Sequence, residues 1–166
     1  MKKRLLISIF ILAASLCACA RRSVPVYADA NTLAGSLYTN AGFASDALYA
    51  EPLERVDAFR FGVTITEFEN MVEDAVCYRK TVDSNGQMLY ALKLRSKEDA
   101  DAFAKAFYAY YEFAPCDAAE KMAIVSAGEY VIFFKSDVGE VDAAVEAFRT
   151  LMNGHLDFEK ELINRG

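Results

Sequence analysis

The stretches "KLRSKEDADAFAKAF" (residues 93 to 107) and "FFKSDVGEVDAAVEAF" (residues 133 to 148) decide the fold. Each reads strand, basic residue, serine, acidic first turn, then an Ala-rich helix ending in phenylalanine; the second carries one extra residue. A hairpin pattern precedes each. Met88, Tyr90, Leu92 and Leu94 alternate with their neighbours over Gln87 to Arg95, the period of a strand. Ala75 to Thr81 supplies its partner, and Asp83-Ser84-Asn85-Gly86 supplies a turn, because Asn and Gly accept positive φ at little cost. The second hairpin is Met122 to Ser126, a turn at Ala127-Gly128, and Tyr130 to Lys135. Ser96 caps a helix running to about Phe113, with Ala100, Phe103, Ala104, Phe107 and Tyr111 on its inner face and Pro115 beyond its end. Ser136 or Asp137 caps the last helix, whose inner face is Val141, Ala144, Val145, Phe148 and Met152, and Gly154 ends it. One ββα unit cannot cover its own apolar face. Two can share a four-stranded antiparallel sheet with both helices on one side. The expected class is α+β.

Upstream, Leu33, Leu37 and Phe43 have helical spacing within Asn31 to Phe43, with Asn31 or Asp29 as cap and Gly42 as stop. Pro52 to Phe59 reads as a short helix with proline in its first turn and Gly62 past its end. Thr66-Glu67-Phe68-Glu69 has capping-box spacing. These are the additional N-terminal helices. Tyr130-Val131-Ile132-Phe133-Phe134 is apolar on both faces, whereas a strand with one wet face alternates. The second sheet face is therefore covered, by the N-terminal helices or by a partner, which leaves a structural homodimer module open.

The chain starts Met1-Lys2-Lys3-Arg4, continues without a charged side chain from Leu5 to Ala20, and then meets Arg21 and Arg22. That is the layout of a secretory signal. A spanning helix needs about 20 apolar residues, and this run is shorter and ends in small residues and cysteines. Leu16-Cys17-Ala18-Cys19 resembles the lipobox of bacterial lipoprotein signals. The resemblance implies that Cys19 becomes the first mature residue and carries a diacylglyceryl group, with Leu16 and Ala18 as recognition positions. Ordinary signal-peptidase sites compete, because Ala18-Cys19-Ala20 and Ala28-Asp29-Ala30 both read A-x-A. Two acyl chains anchor a protein stably where one does so only marginally. The expected organisation is a lipoprotein signal peptide (1–18), a lipidated tether (19–30), a single α+β domain (31–155) and a polar C-terminal tail (156–166) that is frayed or weakly helical. The expected location is the extracytoplasmic face of the cell membrane.

Without residues 1 to 18 the chain has 15 cations against 24 acids, a net charge of −9. Such a chain repels nucleic acid, and no basic patch with interleaved aromatics offsets this. Cys77 and Cys116 remain after Cys17 is removed and Cys19 modified. Outside the cytoplasm they are a candidate disulfide, or else two buried thiols acting as small hydrophobes.

Catalysis needs convergent polar groups with matched roles. The single histidine, His155, stands near a helix C-terminus, where a Ser-His-Asp arrangement is hard to build and where an imidazole is electrostatically favoured. Glu67, Glu69, Glu73 and Asp74 form an acidic cluster, but the spacing lacks a calcium-binding loop. Paired carboxylates can hydrolyse glycosidic bonds, so a cell-envelope hydrolase is the alternative reading, although nothing marks two of them as a pair. In "FYAYYEF" (107 to 113) helical spacing turns Phe107 and Tyr111 inward and leaves Tyr108 and Tyr110 as a candidate surface aromatic contact for sugar or peptide. No catalytic, cofactor-binding or metal-ligating residue is assigned.

From about Ala41 to Leu151 the chain resembles a family of small bacterial lipoproteins, domain of unknown function 4358. The features are the signal with Cys19, "EDAVCYRKT", the "RSKEDADAF" helix start and "GEYVIFFKSDVGEVDAAVEAF". The resemblance implies no activity, catalytic residue or cofactor; only the lipidated cysteine is carried over. The expected function is a membrane-anchored, non-catalytic binding domain whose partner is an envelope protein or another envelope component.

Overall fold

In the computed structural model, residues 23–44, 48–81 and 85–165 are described. Their order is α1 (Ala30–Ala41), β1 (Leu48–Pro52), a 3-10 helix (Arg55–Phe61), α2 (Ile65–Met71), β2 (Val72–Lys80), β3 (Met88–Leu94), α3 (Lys97–Tyr110), β4 (Lys121–Ala127), β5 (Tyr130–Ser136), α4 (Val138–Leu151) and β6 (Phe158–Ile163). The strands form one antiparallel sheet in the order β1-β2-β3-β5-β4-β6. The α+β class fits, but the sheet has six strands, not the expected four.

The local signals work as polar caps should. Asp29, Ser96 and Asp137 each accept a hydrogen bond from a backbone N–H in the first turn of their helices. Gly42 and Gly62 end α1 and the 3-10 helix at φ 72° and 67°, where a side chain would be strained. The capping box starts two residues earlier than expected. Thr64, not Thr66, is the cap, with the Glu67 carboxylate accepting from the Thr64 N–H.

The two extra strands come from segments with weak strand signals. Pro52 ends edge strand β1 instead of opening a helix; the missing N–H is tolerated in both places. The expected tail supplies β6, which pairs with β4 from Phe158↔Ser126 to Ile163↔Lys121. Phe158 and Leu162 turn toward the core, but Lys160 between them is exposed, so the apolar period of two is interrupted.

The helices lie on both sides of the sheet, which corrects the expectation of one helical layer. The front face, with Leu89, Ala91, Val125, Ile132 and Phe134, packs against α1 and α4. The back face, with Tyr90, Leu92, Met122, Ile124, Val131 and Phe133, packs against α3, α2 and the 3-10 helix. β3 and β5 are antiparallel neighbours, so a two-fold relating two identical ββα units would keep both helices on one face. The repeat in sequence is therefore not a repeat in space. The β3–β5 register is the reason: Leu89 pairs with Phe134, so Leu94 and Phe134, which occupy matching places in the two stretches, face opposite sides of the sheet, and each helix covers the side of its own strand's residue. Both faces of β5 are buried by the chain's own helices, which accounts for its unbroken apolar run.

The back core is aromatic. Phe61, delivered by the 3-10 helix and fully buried, lies 5.2–6.0 Å from the rings of Phe68, Tyr90, Phe103, Phe107 and Phe133. Such ring pairs contribute about 0.5–1.5 kcal/mol each beyond their burial. This one side chain ties the irregular segment between β1 and β2 to α3 and the sheet.

Candidate functional site

Three elements meet beside the β1 edge of the sheet. The C-terminal half of α1 brings Gly35, Tyr38 and Thr39, the following turn brings Gly42 and Phe43, and Leu48, Ala50 and Tyr78 come from paired strands β1 and β2. Together they line a groove of about 620 Å3. Tyr38 lies at its floor. Its ring meets Phe43 edge-on at 5.5 Å, Tyr78 at 5.5 Å and Phe134 at 6.5 Å, and Phe43 stacks on Phe134 at 5.4 Å. Only 3% of Tyr38 is exposed, and its hydroxyl has no hydrogen-bond partner among the described residues. Burial raises its pKa far above that of an ordinary phenol, so it is a neutral, unpaired donor. The Tyr78 hydroxyl donates to Asn31 Oδ1 at 2.9 Å. This lining suits stacking and apolar contact with a few polar handles.

A second groove, about 550 Å3, lies between Tyr111–Pro115 and Leu162–Arg165. A third, about 420 Å3, holds the charged side chains of Arg55, Glu69, Glu73, Asp74 and Arg95. The acidic cluster from the sequence thus lies partly in this third groove, and each of its members has a partner. Glu67 caps α2, Glu69 pairs with Arg55, Glu73 pairs with Lys93 at 2.9 Å, and Asp74 accepts from the Ala30 N–H at 2.7 Å.

Cys19 and the signal peptide lie outside the described residues. Cys77 is a buried free thiol in β2, pushed up to about 11 by burial, while Cys116 is an exposed free thiol between α3 and β4. The structure does not join them. Tyr108 and Tyr110 do not form one surface. Tyr108 turns to Phe158 of β6 at 6.3 Å, while Tyr110, 56% exposed, covers Gly62 on the other flank of α3. His155 Nε2 lies 2.9 Å from Asp157 Oδ1, and Asp157 also accepts from Lys97 and from the Gly128 N–H. Burial opposes ionisation of Asp157, but these three partners outweigh it and hold the carboxyl below its usual range.

Two carboxylates do converge, in a place the sequence did not mark. Asp137 and Glu140 both accept from Asn85 Nδ2, at 2.7 and 3.4 Å, and Glu140 also accepts from Gln87 at 2.7 Å and from Ser136. With Asp137 accepting from the Glu140 N–H at 2.8 Å, this is a capping network that fastens the start of α4 to the β2–β3 connection. Among the described residues no group of three His, Cys, Asp or Glu is placed to hold a metal ion, and no helix is long and apolar enough to cross a membrane.

The residues leading into α1 are held on the sheet end formed by the β4–β5 turn. The Tyr27 N–H donates to Tyr130 Oη at 2.8 Å, Asn153 Nδ2 donates to the Ser23 carbonyl at 3.0 Å, and Val24 packs against Gly128. The aromatic groove lies toward the other end, near the Leu48↔Lys80 pair.

No protein-family model, curated protein or solved structure matches this chain.

Proposed function

We infer that the chain is a lipid-anchored, extracytoplasmic binding module, non-catalytic, that takes an apolar or aromatic segment of an envelope protein or envelope component into the groove over Tyr38. The carrying observation is the groove itself, where the partly exposed side chains of Phe43, Leu48 and Tyr78 stand over the buried Tyr38. The half-buried rings of Phe43 and Tyr78 offer stacking worth about 0.5–1.5 kcal/mol per ring pair beyond the area covered. The anchor half of the proposal rests on Leu16-Cys17-Ala18-Cys19 after the apolar run, and the likeness to the domain of unknown function 4358 lipoproteins belongs to the same proposal.

Two experiments test the halves separately. Metabolic labelling with a clickable fatty acid should tag the wild type and not Cys19→Ala; equal labelling refutes the anchor. A photo-crosslinking amino acid at exposed Thr39, in the groove, should give discrete adducts on intact cells that weaken with Tyr78→Ser. The same probe at exposed Lys105, on the opposite side of the sheet, should not. Identical adducts from both positions would refute the groove.

A further inference from the structure

Where the domain's tether is fastened decides which end of the sheet faces the membrane. Cys19 precedes Ser23 by four residues, and an extended chain spans at most about 3.6 Å per residue, so the Cα of Cys19 can be no farther than about 14 Å from that of Ser23. Ser23 is not free to swing. Its carbonyl is held by Asn153, Val24 rests on Gly128, and Tyr27 is bound through its N–H to Tyr130. The Ala30 N–H, at the start of α1, is held by Asp74. Four contacts thus fix the tether to one end of the sheet, where the β4–β5 turn, the C-terminus of α4 and the start of α3 come together. Val26, between the held residues, is 88% exposed and points away from the domain.

We propose that the diacylglyceryl anchor seats the domain with the β4–β5 turn end of the sheet against the lipid bilayer, leaving the groove over Tyr38 and the β2–β3 connection facing away. The occupant of this surface is the bilayer that holds the anchor. The argument is the short covalent reach together with the fixed point from which it starts. The proposal rests on the lipid-anchor reading and adds an orientation that lipidation alone does not require. Its consequence is that the groove is presented to soluble or trans-facing partners and not to lipid.

The chain contains no tryptophan, so a single introduced one reports its own position. Glu129 and Glu120 are both exposed and flank β4 at opposite ends, about 24 Å apart along the strand. Full-length acylated protein carrying Glu129→Trp or Glu120→Trp is reconstituted into phosphatidylcholine–phosphatidylglycerol vesicles with a nitroxide on the headgroup. Fluorescence from position 129 should be quenched several-fold more than from position 120. Glu98→Trp, at the exposed start of α3 on the same end, should behave like position 129 and serves if the turn variant fails to fold. A long Gly/Ser insertion between Arg22 and Ser23 should bring position 129 down to the level of position 120. Equal quenching of the two positions in protein that floats with the vesicles overturns the orientation while leaving the anchor intact. A difference that survives the insertion also overturns it, because the short reach would not be its cause. Protein that lacks acyl chains by mass and does not float overturns both readings.

Discussion

Tyr27 and Tyr130 meet edge to face at 5.6 Å, with their ring planes at 90°, and the Tyr27 N–H donates to the Tyr130 hydroxyl. One residue lies in the segment leading into α1 and the other starts β5, an inner strand of the sheet. The hydroxyl also donates to the Tyr27 carbonyl at 3.3 Å, so a single phenol satisfies both backbone groups of a residue that has no strand partner.

Tyr130→Phe should loosen the segment leading into α1 without unfolding the domain. Loss of the hydroxyl leaves a partly buried N–H without its acceptor, at a cost of about 1 kcal/mol. Amide hydrogen exchange at Tyr27 should accelerate several-fold, while exchange in β4 and β5 stays as in the wild type. Unchanged exchange at Tyr27 would show that this bond does not hold the segment.

The two thiols of the domain should separate cleanly by reactivity. Cys116 is exposed, whereas Cys77 is buried with its pKa pushed up to about 11, so little thiolate forms at pH 8. An aromatic disulfide reagent should titrate one thiol quickly in native protein and the second only in denaturant. Cys116→Ser should remove the fast phase. No fast phase in oxidised wild type, restored by reductant, would instead reveal a bond between them.

Asp157 makes stability depend on pH in a defined direction. Its folded pKa is lowered, so its contribution is present above the ordinary carboxylate pKa and is lost as pH falls through the folded value. Asp157→Asn should therefore be less stable than wild type at pH 7, and the difference should shrink steadily below about pH 4. Urea denaturation of both proteins across that range measures it. A constant gap would exclude the ionised carboxylate as the source.

Gly62→Ala should be costly for two reasons. Gly62 has φ 67°, and a Cβ there would lie 2.3 Å from Cγ of Tyr110. A loss of at least about 1–3 kcal/mol is expected from strain and overlap together. Combining it with Tyr110→Ala should recover part of the loss, because the overlap with the ring is relieved while the left-handed φ and the 2.6 Å approach to the Cβ of residue 110 are not. Additive losses in thermal unfolding would show that the ring simply moves aside.

The groove was not legible in the sequence, and the reason is geometric. Tyr38 reads as one more apolar-face residue of a helix and Tyr78 as one more strand residue; only the pairing of Ala50 with Tyr78 and the packing of α1 bring them together. Asn85, Gln87 and Glu140 escaped notice in the same way, since their contacts span more than fifty positions. Tyr108 and Tyr110, by contrast, are easily seen in a seven-residue run, but two positions apart on a helix they point to different flanks.

Taken alone, the sequence determined the elements whose signals are local: the cap at Ser96, caps narrowed to Asn31 or Asp29 and to Ser136 or Asp137, the stop at Gly42, two hairpins, and helices with a continuous apolar stripe. Those depend on hydrogen bonds within a few residues and on a repeating period. Tertiary structure decided that α3 and α4 lie on opposite faces, and that Leu48–Pro52 and Phe158–Ile163 become edge strands. An edge strand is made by the backbone groups of its neighbour, not by its own side chains. The face a helix covers depends on the register in which its strand joins the sheet: with Leu89 opposite Phe134, the matching residues Leu94 and Phe134 face opposite sides, a fact that exists only once the strands are paired.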